Sequence, residues 1–201
     1  AETQIPKVFL DTSSLVAPDE LNGDLLLMES RTSVRRITCH LLEQGRTLPG
    51  FIGDISYAQS NRERYEGFCQ ALADAGKKVD SSLCLTTPLG IDTYREEIDT
   101  FLSSLSRMPD AFVCASDYVA CILMQLLEKR GLRVPEDVAV SGFDNNTEDL
   151  LAEHLTTVQV FNEELGARLA LQILYRIKYP NTPHEITYLG TNVLYRDSTG
   201  D

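Results

Sequence analysis

Residues 108–144, MPDAFVCASDYVACILMQLLEKRGLRVPEDVAVSGFD, leave the chain little choice of fold. They read as strand, polar turn, helix, glycine stop, Pro-containing loop and second strand, which is one βαβ unit. Residues 111–115, AFVCA, form the unbroken apolar run that a strand covered on both faces of a parallel sheet requires. Ser116 or Asp117 can cap the helix expected over 118–130, because a side-chain oxygen there accepts the unpaired N–H groups of a first turn. Lys129 and Arg130 suit the negative end of the helix dipole, Gly131 suits the left-handed residue after it, and Pro135 forbids continuation. Residues 138–140 then return as a strand running out into Gly142-Phe143-Asp144. In an open α/β sheet ligands sit outside the carboxyl ends of the strands, which puts Ser116, Asp117 and Asp144 at one binding edge.

The rest of the chain repeats this alternation. Strands are expected at 8–10, 24–28, 48–52, 79–85, 156–160 and 186–196. Helices are expected at 32–44, 61–75, 93–106 and 162–179, and a surface turn or short helix at 149–154. The class is therefore α/β with a largely parallel sheet. Asp11 stands at the carboxyl end of the first strand, where a lone Asp is a turn residue or a ligand acceptor. Arg62 and Arg64 lie in the first turn of a helix, where cations oppose the dipole. Two of them directly after a strand-end loop point to a task at the cleft, since a guanidinium offers a rigid fork of donors to hydroxyls or a carboxylate. Arg31, Arg35 and Arg36 form a further basic cluster, either an anion site or a solvated helix face.

PDAFVCASDYVA, LRVPEDVAVSGFDN and LTTVQ resemble, in order and spacing, the effector-binding domain of LacI/GalR transcriptional regulators. FIGD at 51–54, the R-x-x-G-F pattern at Arg64-Tyr65-Glu66-Gly67-Phe68 and the strand ending in Asp11 extend the likeness over nearly the whole chain. The resemblance implies a periplasmic-binding-protein-like (type I) fold of two Rossmann-like lobes with parallel sheets, the N-terminal lobe incomplete. Residues 1–30 and 160–191 would share that lobe, and 31–159 with 192–201 would form the C-terminal lobe. It implies that Asp11, Tyr57, Ser60, Arg64, Ser116 and Asp144 line one polar cleft, with Arg64 as hydroxyl donor and Asp144 as facing acceptor. Ser116 stands where the family usually has Asn, and Glu29-Ser-Arg-Thr32 where it usually has Asp or Asn before the helix. The effector expected is a sugar or sugar derivative, and DNA is expected to be contacted only by a headpiece outside this sequence.

Composition agrees with a sensor. A net charge of −12 does not suit a segment that grips a polyanion. The five cysteines sit in apolar patterns without a C-x-x-C pair, as reduced buried thiols of a cytoplasmic protein do, and no metal or cofactor is expected. No apolar run reaches the ~18 residues of a membrane span. The dinucleotide, P-loop and nucleophile-elbow motifs are absent, and the three histidines are scattered, so no enzyme is expected. A sugar-binding protein of a transport system is the rival reading. Between Tyr118 and Leu127 the only polar side chain is Gln125. This predicts surplus apolar surface and a homodimer through Val119, Ile122, Leu123 and Leu126.

Overall fold

Alternating strands and helices build two parallel sheets in the computed structural model, which describes residues 5–90, 92–146 and 153–201. The first sheet has the order β1 (Val8–Leu10), β2 (Asp24–Met28), β8 (Ile186–Leu189). The second has the order β4 (Cys84–Leu85), β3 (Pro49–Ile52), β5 (Ala111–Cys114), β6 (Ala139–Ser141). β7 (Thr157–Gln159) and β9 (Asn192–Leu194) form an antiparallel pair.

Strand alternation splits the core across the four-stranded sheet. Ala111, Val113 and Ala115 face α1 (Arg31–Glu43) and α2 (Gln59–Asp74) through Val34, Ile37, Leu41, Phe68 and Leu72. Phe112 and Cys114 face α3 (Tyr94–Ser104) and α4 (Asp117–Lys129) through Ile98, Leu102, Val119 and Leu123. The glycine of the R-x-x-G-F pattern has a packing reason, because a Cβ on Gly67 would collide with the carbonyl oxygen of Arg31 where α1 and α2 meet. In the three-stranded sheet, α5 (Asn162–Lys178) turns polar groups inward: Gln172 and Arg176 are buried on Asp24, while Leu171, Leu174 and Ile177 are exposed.

Three expectations are corrected. The four α4 residues expected at a contact are not surplus surface: Val119, Ile122, Leu123 and Leu126 are 3%, 6%, 0% and 3% exposed, because α3 and the sheet cover them within the same chain. The strand expected over 79–85 pairs only at Cys84 and Leu85. Asp80 Oδ1 takes the Ser82 N–H and hydroxyl at 3.1 and 2.6 Å, and that local bonding draws Ser81–Leu83 into a 3-10 turn. The single strand expected over 186–196 is two, since β8 joins β2 whereas β9 turns to β7. Thr191 pins the crossing, donating to the Glu29 carbonyl at 2.8 Å and sharing a hydrogen bond with Ser33 Oγ at 2.9 Å. The turn or helix expected at 149–154 lies mostly outside the described residues.

Two of the three arginines of the basic cluster on α1 are ion-paired, and Arg36 is exposed. Arg31 bonds Glu66, and Arg35 bonds Asp74 at 2.6 Å. Glu29, which departs from the family pattern, caps α1 by accepting from the N–H groups of Thr32 and Ser33 at 2.5 and 3.2 Å. No described helix is long and apolar enough to cross a membrane.

Candidate functional site

Carboxyl ends of parallel strands deliver the site residues. Asp11 follows β1, Asp54 follows β3, Ser116 follows β5 and Asp144 follows β6. Among the described residues, the non-glycine positions with positive φ are Asp11, Asp144 and Asn145, at 59°, 111° and 52°. Asp and Asn enter the left-handed region more readily than other residues, but 111° is far outside its usual centre. Backbone strain of that kind costs on the order of 1–3 kcal/mol and collects where a side chain has to be aimed.

Arg64 is the centre of the group, at 5% exposure. Its guanidinium lies 3.7 Å above the Phe143 ring, Nη1 donates to the Ala115 carbonyl and at 3.4 Å to Asn61 Oδ1, and Nη2 lies 3.7 Å from Asp144 Oδ1. Nε is buried without a hydrogen-bond partner. Burial depresses the guanidinium pKa, and the carboxylates of Asp144, Asp11, Asp117 and Glu63 oppose that depression. Burial likewise pushes the Asp144 carboxyl up, against the pull of Arg64.

Asp11 is joined to the group from the other sheet. It accepts from Ser60 Oγ at 2.5 Å, from Ser60 N at 3.4 Å and from Thr12 N at 2.7 Å. It thus acts as a remote cap for α2, whose own preceding residue is Ala58, and its charge favours the Arg64 guanidinium in the second turn, since α2 starts at Gln59 and leaves only Arg62 in the first. Ser116 caps α4 with Oγ 3.3 Å from Val119 N, one residue beyond the carbonyl that Arg64 holds. Tyr57 stands apart, 73% exposed and tied through its backbone N–H to Asp54 Oδ1 at 3.2 Å.

Of two further neighbours, Phe143 escaped sequence reasoning as a member of the arrangement, whereas Asp117 was placed at this edge by it. Phe143 was visible only as part of G-F-D, and the stack beneath Arg64 joins residues from separate elements. Asp117 is 2% exposed, accepting from Thr157 Oγ1 at 2.5 Å and from Asn146 N at 2.8 Å. Its fit depends on Gly142, where a Cβ would strike the carboxylate. Burial pushes the Asp117 carboxyl up to about 6, more than the Thr157 and Asn146 hydrogen bonds pull it down from 3.8.

Because the unfolded chain releases this proton near 3.8 and the folded chain near 6, stability falls as pH rises through that window and is flat above it. The penalty above the window is on the order of 3 kcal/mol. Asp117→Asn is expected to remove that slope. Urea unfolding of both proteins from pH 4 to 7 checks it, and parallel profiles would refute the assignment.

Residues 38–199 match the family model described as periplasmic binding protein-like domain. The chain is 31% identical over 169 residues to the HTH-type transcriptional regulator DegA of Bacillus subtilis (strain 168), covering 83% of this chain and 48% of the relative. It is 27% identical over 202 residues to the HTH-type transcriptional repressor PurR of Vibrio cholerae serotype O1 (strain M66-2), covering 100% and 59%. Among solved structures, the transcriptional regulator CelR–cellobiose complex superposes with a TM-score of 0.83 at 26% identity, over 95% of this chain and 58% of that one. The match thus covers between 48% and 59% of these relatives' length.

Proposed function

The chain belongs to the periplasmic binding protein-like domain family, and we propose that it is the effector-sensing part of a LacI-type transcriptional regulator that senses a sugar-like effector in a cleft around Arg64. The carrying observation is the convergence on one buried guanidinium, with an unpartnered Nε, of carboxylates from the ends of strands in both sheets. Arginine N–H groups donate to hydroxyl oxygens and carboxylates accept hydroxyl protons, so alternating donors and acceptors suit a polyhydroxyl ligand. Asp11, Ser60, Ser116 and Asp144 are the partners assigned beside Arg64, and Tyr57 would contribute only by folding over from its exposed position.

In this reading residues 1–30 and 160–191 are one lobe, and 31–159 with 192–201 the other. The membership of β8 with β2, and of β9 with β7, supports that division. Effector binding would shift the lobes and so control DNA binding by a headpiece, in the cytoplasm and without catalysis. Pairing of two copies to match a two-fold operator belongs to the same proposal. Its contact cannot rest on exposed Val119, Ile122, Leu123 or Leu126, whose side chains the core already uses. What α4 has left is exposed Tyr118 with part-buried Met124 and Gln125.

A thermal-shift panel of neutral monosaccharides and disaccharides, cellobiose included, tests the effector. A sugar present at about 100 times its Kd stabilises by about 2.7 kcal/mol. For a chain of this size that raises Tm by roughly 5–10 °C. A panel in which no sugar moves the midpoint would set the sugar reading aside.

A further inference from the structure

Glu63, next to Arg64 on α2, is a carboxylate at 3% exposure that the effector reading does not use. Its Oε1 accepts the Tyr188 hydroxyl at 2.8 Å and Gln59 Nε2 at 3.3 Å. Tyr188 belongs to β8 of the three-stranded sheet, whereas α2 packs on the four-stranded one, so this hydrogen bond joins the two sheets. Burial of Tyr188, and after it the hydrogen bond to Glu63 and the Glu63 charge, push the Tyr188 hydroxyl up to about 12.

Other bonds cross at the same turn. Gln59 N donates to the Thr12 carbonyl at 2.7 Å, Ser60 Oγ to Asp11 at 2.5 Å, and Ser14 Oγ to the Ser56 carbonyl at 2.9 Å. The acceptors on Thr12, Asp11 and Ser56 are part-buried loop groups, for which water is a ready substitute when the sheets separate. Glu63 differs: it is a buried charge, and a charge that loses a donor in a dry site is costly, so its bond to Tyr188 opposes separation more strongly than a neutral pair would.

We propose that the Glu63–Tyr188 hydrogen bond is a latch that holds the three-stranded sheet against the first turns of α2 and, through them, positions Arg64. The latch itself needs no ligand. Only its bearing on binding rests on the effector reading, and the test below uses no effector, so the two can fail separately.

Tyr188 is half exposed, so Tyr188→Phe removes the hydroxyl without emptying a core. Amide hydrogen exchange followed by NMR reads the outcome at two positions. Gln59 N–H, bonded across the sheets to Thr12, is expected to exchange about tenfold faster in the variant. Ala115 N–H, bonded to Ile52 inside the four-stranded sheet, is expected to stay unchanged. The Arg64 Nε–H resonance, buried in the parent, is expected to exchange faster as the guanidinium loosens. Glu63→Gln, which keeps an oxygen to accept from Tyr188, is expected to fall between parent and Tyr188→Phe. Unchanged exchange at Gln59, equal acceleration at Gln59 and Ala115, or an unaltered Arg64 signal beside a faster Gln59 would each overturn the latch.

Discussion

Arg176→Ala is expected to destabilise the chain by about 3–5 kcal/mol, read as a lower urea midpoint, because it strands a buried carboxylate. Asp24 and Arg176 are 1% and 4% exposed. Arg176 Nε donates to Asp24 Oδ2 at 3.0 Å, and Nη2 bonds Oδ1. Gln172 Nε2 at 2.7 Å and Glu185 N at 2.9 Å complete the carboxylate's partners, while Arg176 also holds the carbonyls of Thr182 and Pro183 at 2.6 and 2.9 Å. One side chain thus fastens α5 and the turn after it to β2. Burial pushes the Asp24 carboxyl up, but the hydrogen bonds of Arg176, Gln172 and Glu185 together bring it below 3.8. Its contribution is therefore present above 3.8 and lost as pH falls through the lower folded value, so the gap between parent and variant should close in acid. A double change of Asp24→Leu with Arg176→Met, which removes both charges, is expected to cost much less than the single one. Equal losses in the two would deny the pair its electrostatic role.

Arg64→Ala is expected to weaken binding of the sugar found in the thermal panel by about 100-fold or more, since hydrogen bonds to a charged group contribute about 1.5–3 kcal/mol each. Arg64→Lys keeps the charge but not the fork, and cannot at once hold Ala115, face Asp144 and lie flat on Phe143. It should recover only a small part of the affinity. Calorimetry decides, and unchanged affinity in Arg64→Ala would remove Arg64 from the site. Parallel urea unfolding separates lost contact with the ligand from a loosened cleft, because the variant also leaves Asp144, Asp11 and Asp117 without their shared cation.

The chain's alternation of elements was legible because it is written locally. Apolar runs, helical spacing, Ser116 as cap and Gly131 as stop all act within a few residues, and the helices and most strands lie where these signals put them. The positions of Asp11, Ser116 and Asp144 at strand ends follow from the same signals, and the R-x-x-G-F pattern singled out Arg64. What surrounds Arg64 did not follow. Phe143 beneath it, the Ala115 carbonyl and the Asp11 bond to Ser60 join residues 49 to more than 70 positions apart, and no local pattern encodes such a meeting.

Two of the three misreadings share one physical origin. The apolar circumference of α4 stated correctly that the helix would be covered, but not by what, and α3 does so from the same chain. The run from 186 to 196 stated correctly that the backbone is extended, but not that Thr191, held by Glu29 and Ser33, sends its two ends to different sheets. Sequence by itself determined which residues become strand or helix and which side chains avoid water, since φ/ψ preference and hydrophobic burial act on each stretch alone. Tertiary structure alone decided which buried surfaces meet, and so placed Tyr188 on Glu63 and Arg176 on Asp24, because those contacts depend on distances closed only when the whole chain has packed.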